Sequence, residues 1–380
     1  MKTMHPCADL AQKAMNRLLL TLLTVSCLLV MPNQADAQQI IKFDAPNSGT
    51  IPYAGTVVAG FNQLGTITGS VTDNNYATHG FVGTPAGGFT DFDAPGADPV
   101  VGCTCPAGIN DLGVVAGSDI DANGVSHGFV RSSDGRITTF DDSQAPVGTG
   151  ANQGTTPVGV NDIGVITGYY VDGNNATHGF VRTPDGKITT FDAPGGAGGT
   201  YPGNINLLGV TAGVFYDANG VGHGFVRTAG GKITTFDPPN SFNGPTSYGT
   251  FNAFVNDLGL VAGTYFDENT YVLYGYVRLP DGQFTEFAAP GAGTTIGAGT
   301  SVYAVNVEGA TTGNYVDANF ENHSFIRAAN GELTMFDVPG QILVPGTYAG
   351  STGEGINAEG FITGRWRDPN ETFHGYLRTP

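Results

Sequence analysis

Two short motifs recur seven times along the 380-residue chain, and the last copy of one lacks its partner. The first, Phe-Asp-Ala-Pro and its variants, begins at Phe43, Phe92, Phe140, Phe191, Phe236, Phe287 and Phe336. The second, fullest as His-Gly-Phe-Val-Arg, begins at His79, His127, His178, His223, Tyr274, His323 and His374. A copy of the first follows each copy of the second, except after His374, where the chain ends. The unmatched first motif stands at the other terminus, at Phe43. A repeat split in this way suits a closed ring whose last unit is completed by its first strand. An open solenoid has no use for it.

Successive copies of the second motif start 45 to 51 residues apart. The third unit shows the parts most clearly. An apolar run at 157–160 ends in the turn Asn161-Asp162-Ile163-Gly164, and a second run at 165–171 ends at Asp172-Gly173-Asn174-Asn175. Residues 178–182 follow, then the turn Pro184-Asp185-Gly186, then 187–192. We name these strands a, b, c and d. The 59 glycines recur at fixed places beside Val, Ile, Phe and Tyr, which indicates short strands joined by tight turns. Four short antiparallel strands repeated seven times predict an all-β fold, a seven-bladed β-propeller of four-stranded antiparallel blades. Its ring would be closed by the N-terminal strand joining the C-terminal blade, with residues 41–44 lying beside 374–378.

Residues 1–37 read separately, as a secretory signal peptide preceding a propeller over 38–380. Lys2, Lys13 and Arg17 form a basic leader, 18–31 is an apolar run and Ala35-Asp36-Ala37 is a cleavage site. The remainder carries 12 Lys and Arg against 31 Asp and Glu, which argues against nucleic acid as a partner. No apolar segment after residue 37 is long enough to span a membrane. These features predict a protein secreted to the periplasm or the extracellular space. Two cysteines remain, Cys103 and Cys105, a candidate disulfide or a tolerated pair in a loop. A lone C-x-C falls short of a zinc signature, and no cofactor or metal is expected from the sequence.

The recurrent polar residues have structural explanations. Asn62, Asn110, Asn161, Asn206, Asn256, Asn306 and Asn357 occupy one place in all seven units, where Asn can bond the turn amides. Asp-x-Asn sequences between strands b and c suit hairpin turns better than calcium loops, which need more oxygen ligands. The histidines open strand c, too far from the axis to converge on one ion. The arginines that end strand c and the aspartates of strand d suggest cross-strand ion pairs, with Arg278 left over because unit five has Ala288. The succession Asn-Asp-x-Gly, Val-x-Gly, His-Gly-Phe resembles the bacterial extracellular HAF repeats, named for a His-Ala-Phe core. Gly80, Gly128, Gly179, Gly224 and Gly375 stand where that family has Ala, as does Ser324 in unit six. The resemblance implies an exported repeat protein and carries over no catalytic residue.

Function is then sought where the units differ. The d-to-a connections are long and variable, and they share one face with the b-to-c turns. Tyr201, Tyr248, Tyr303 and Tyr348 lie in or beside them, and Arg365 flanks the only tryptophan, Trp366, which aligns with blade-packing aromatics. These five are the candidate ligand-binding residues. Aromatic and small polar groups on one rim suit a glycan or a protein ligand. No catalytic signature appears, and Glu354 and Asp98 are the few non-repeat acids near strand a. The favoured expectation is a secreted, non-catalytic propeller binding an extracellular glycan or protein through its long-loop face. The alternatives are a hydrolase or lyase acting on a polymer or lactone, and a passive matrix or surface protein.

Overall fold

The repeated Phe and His motifs become hydrogen-bonded neighbours. In unit three of the computed structural model, strand c (Thr177–Arg182) pairs antiparallel with strand d (Ile188–Phe191), with Gly179 opposite Phe191 and Arg182 opposite Ile188. Strand a (Gly154–Val160) pairs with strand b (Ile166–Val171), and b pairs with c. The same antiparallel order recurs over 55–92, 104–140, 200–236, 250–287 and 299–336. Residues 351–378 supply three more strands, and Ile40–Phe43 pairs with the last of them, Phe373–Arg378. The expected pairing of 41–44 beside 374–378 is therefore present. The described residues are 38–98, 102–142, 145–244 and 249–380; they contain 28 strands and no helix. The expected signal peptide lies outside them. No helix among them is long and apolar enough to cross a membrane.

Neighbouring units meet through parallel contacts, which merge three pairs of them into eight-stranded sheets. At each seam strand a begins beside strand c of the unit before it: Gly55 pairs with Phe373, Gly154 with Ser126, Gly299 with Leu273 and Gly350 with Asn322. The glycines at this place have positive φ, +109° at Gly154 and +128° at Gly350.

The Phe, Asp and Ala of the Phe-Asp-Ala-Pro motif each have a task. The Phe ring lies over the strand c glycine of its own unit; a Cβ on Gly179 would sit 2.6 Å from the Phe191 ring. A side chain at this place would have to displace the ring. The same ring meets the buried aromatic of the next unit edge-on, as in Phe92–Phe129 at 6.0 Å and Phe287–Phe325 at 6.1 Å. The Ala amide donates to a buried threonine that opens the next strand a, as from Ala94 to Thr104 at 2.9 Å. The core thus lies between units, not within them.

The Asp of the motif corrects one expectation. It pairs with the histidine of strand c, not with the arginine. His79–Asp93, His127–Asp141, His178–Asp192, His323–Asp337 and His374–Asp44 lie 2.7 to 2.9 Å apart. An ionised carboxylate only accepts, so each Nδ1 carries the proton. The c–d register sets the partner: the arginine sits at the far end of strand c. Its guanidinium instead lies over the Phe of the preceding unit, at 4.5 Å for Arg182 on Phe140 and 5.0 Å for Arg278 on Phe236. Arg278, read from the sequence as unpaired, has the same contact as the others. Unit one has Gly83 at the arginine position; there Phe89 stacks on Phe43 at 4.8 Å in its place.

The asparagines also do more than cap turns. Asn62 Oδ1 accepts from the Leu64 and Thr66 amides, while Nδ2 donates 2.9 Å across to the Asn110 carbonyl. The same donation runs from Asn110 to Asn161, Asn161 to Asn206, Asn206 to Asn256, Asn256 to Asn306 and Asn306 to Asn357. Between units seven and one the link is Ala358 N–H to Gln63 Oε1 at 2.7 Å. The Asp-x-Asn sequences are hairpin turns, as expected. Asp121 Oδ1 accepts from the Asn123 and Val125 amides, and the Val125 amide foremost holds its carboxyl below the usual range.

Candidate ligand-binding site

The five residues singled out in the sequence separate into distinct places. Tyr201 lies on the long-loop face, where strand a of unit four begins. Its ring packs against Tyr169 at 5.5 Å and Tyr216 at 5.7 Å, and its hydroxyl donates to Thr177 Oγ1 at 3.2 Å. It walls a pocket of about 620 Å³ together with Asn175, Thr177, His178, Asp192 and the glycine-rich 195–199 segment. Burial raises the pKa of Tyr169 and Tyr216, so both of these rings present neutral phenols at physiological pH. Tyr348 is on the same face but between units six and seven, 45% exposed, with its ring edge-on to Phe320. Tyr248 lies outside the described residues. Cys103 and Cys105 are joined by a disulfide, with their Cα atoms 5.7 Å apart. Cys103 pairs with Thr78 at the seam position that the glycines hold in other units.

Tyr303 and Arg365 depart from the expected rim. Strand a of unit six spans Gly299–Val305, so Tyr303 lies well inside it and lines a cavity, the channel, to which all seven units contribute. Arg365 Nε reaches Glu354 Oε1 at 3.2 Å. Tyr303 and Glu354 stand three residues before the recurrent asparagines of their units, where the others have Ala59, Ala107, Val158, Gly203 and Ala253. Units six and seven thus project large polar groups into a cavity that units one to four line with small ones at this place, and unit five with Phe254. The cavity is about 320 Å³. Burial raises the Glu354 pKa and Arg365 opposes that; burial, then Glu354, raises the Tyr303 pKa. The Trp366 ring is buried as expected, stacked on His374 at 4.6 Å.

Sequence reading missed Asp119. It occupies the strand b position that holds Tyr170, Phe215, Tyr265, Tyr315 and Trp366 elsewhere, rings that stack on the strand c His or Tyr. Asp119 is fully buried opposite His127, with neither oxygen hydrogen-bonded. Burial, opposed by His127, pushes its carboxyl up to about 6. A raised carboxyl pKa means that ionisation opposes folding. The penalty is absent below about pH 4, grows between pH 4 and 6 and is complete above. Unit one has Val71 at this position. The gain in stability from Asp119→Val is therefore expected to be larger near pH 7.5 than near pH 4, by on the order of 3 kcal/mol. Urea unfolding at both pH values checks this; a pH-independent gain would contradict it.

No protein-family model matches the chain, and no curated protein does. The strand pairing and the solved structures similar to it define an all-β, propeller-like protein. Those structures include a catalytically inactive virginiamycin B lyase from Staphylococcus aureus with quinupristin, at 17% identity and a TM-score of 0.55, covering 90% of this chain and 100% of that one. A streptogramin B lyase matches at 15% identity and 0.53, covering 90% and 97%. A puromycin hydrolase mutant complexed with PGG matches at 12% and 0.54, covering 83% of this chain and 50% of that one. At these identities the likeness concerns the fold alone.

Proposed function

We propose that the protein is an exported seven-bladed β-propeller, with residues 1–37 as its secretory signal, that binds a glycan on its long-loop face. The closed seven-blade reading is supported by the Ile40–Phe43 pairing with Phe373–Arg378 and by the Gln63–Ala358 hydrogen bond. The observation that carries the ligand reading is the Tyr201 pocket. At about 620 Å³ it falls in the range of small-molecule sites, and it offers an aromatic wall beside amide, hydroxyl and carboxylate groups. A ring wall suits the apolar face of a sugar, and the polar groups suit its hydroxyls. A passive matrix role would have no use for such a pocket.

Calorimetric titration with a panel of soluble oligosaccharides tests this. Tyr201→Ala is expected to weaken binding about tenfold, the equivalent of about 1.4 kcal/mol of ring contact. Tyr348→Ala should leave affinity unchanged. Equal affinity for Tyr201→Ala and the parent would overturn the assignment, as would binding by proteins alone. The enzymatic alternative, a hydrolase or lyase, is favoured by the buried, raised carboxyl of Glu354 beside Arg365 in the channel. It would appear in the same titrations as turnover of the added polymer.

A further inference from the structure

We propose that Asp317, Glu321 and His323, at the b–c turn of unit six, bind a divalent transition-metal ion of the zinc class. One ligand atom from each lies within 4.8 Å of the other two. His323 donates its Nδ1 proton to Asp337 at 2.8 Å, which leaves Nε2 facing Asp317 Oδ2 at 3.9 Å. This is the carboxylate–histidine–metal arrangement, in which the outer carboxylate fixes the tautomer and orients the ligating nitrogen. The Tyr315 ring, stacked on the imidazole at 4.9 Å, holds its plane.

The histidine and turn aspartate are not special to this unit. His127–Asp121, His178–Asp172 and His374–Asp368 approach to 3.8, 3.8 and 3.6 Å. The third group is special. The turn residue four beyond the aspartate is Val125, Ala176 and Thr372 in those units, and Glu321 only here. Glu321 is 9% exposed, and its amide, not its carboxylate, is what hydrogen-bonds to Asp317. No hydrogen bond to the carboxylate is present among the described residues. Two carboxylates converging on one imidazole nitrogen repel each other, and a cation between them offsets that repulsion. Asp317 Oδ1 is taken by the Asn319 and Glu321 amides, while Oδ2, which accepts from Asn319 Nδ2 at 3.2 Å, keeps a lone pair toward His323.

The donor set selects the ion class. Imidazole nitrogen suits zinc and its first-row neighbours, whereas calcium takes six to eight oxygens. Three protein ligands leave a fourth position for water or another donor.

The experiment is titration of the chelator-treated full chain with ZnCl2 and, separately, CaCl2, followed by calorimetry. One equivalent of Zn2+ should bind. Glu321→Val should lower the affinity at least tenfold; Val125, Val221 and Val272 already occupy the equivalent position in three units, so the turn should keep its fold. Asp337→Asn should lower it about 10- to 100-fold by freeing the imidazole. Unaltered Zn2+ binding in Glu321→Val would overturn the proposal. So would the absence of stoichiometric Zn2+ binding by the parent, or tighter binding of Ca2+ than of Zn2+.

Discussion

Gly154→Ala is expected to lower stability by about 3 kcal/mol or more, well beyond an ordinary loop substitution. Two costs combine. The residue has φ +109°, a conformation that L side chains rarely adopt, and a Cβ would land on the Ser126 carbonyl oxygen. That oxygen belongs to strand c of the preceding unit, so the backbones of two units, not a flexible side chain, must separate. At roughly 2.1 cal/mol/K per residue, such a loss lowers Tm by about 4 °C for a chain of this size. Scanning calorimetry decides it, and a Tm within about 1 °C of the parent would contradict the seam argument. The opposite control is Gly65, also at positive φ but with open space around its Cβ position. Gly65→Ala should cost only the conformational part.

Asn306→Ala should cost about 2–3 kcal/mol, because it strands two buried partners at once. Asn306 is 4% exposed; its Nδ2 donates to the Asn357 carbonyl at 2.9 Å and its Oδ1 accepts from the Ala310 amide at 2.8 Å. One bond closes the turn and the other ties unit six to unit seven. Asn306→Asp separates the two. It keeps the acceptor for Ala310 but points a carboxylate oxygen at the Asn357 carbonyl. The loss should therefore be at least as large as for Ala, and urea midpoints measure both. A mild Asp variant beside a severe Ala variant would mean that the turn, not the link between units, matters.

The strand order was legible in the sequence because each unit repeats its turn chemistry and its apolar runs at a nearly constant spacing. The His–Asp pairing was legible too, at one place. Unit five has Tyr274 for His and Ala288 for Asp, so both partners depart together while Arg278 remains. Matching charges by sign alone gave Arg to Asp, whereas counting the c–d register from Gly179 opposite Phe191 gives His178 to Asp192. Tyr303 was misplaced for a related reason. It follows a long connection in sequence, but its strand already begins at Gly299, which carries it down into the channel. The Asn amide bonds between units and the gathering of Asp317, Glu321 and His323 depend on tertiary placement. Asp119 and Glu321 were nonetheless visible as departures: the other units have an aromatic residue or Val at the first position and Ala, Val or Thr at the second.

The strand Ile40–Phe43 has a consequence in time. Its partner, Phe373–Arg378, lies far along the chain, and Asp44 must find His374 across a sequence separation of 330 residues. The entropy of closing so long a loop grows only logarithmically with its length, but it must be met before the contact repays it. Until then the first strand has no edge to lie on and the seventh unit lacks its outermost strand. Completion of that unit is thus expected to be a late event in folding, and the interval before it is when both unpaired edges are open to other chains.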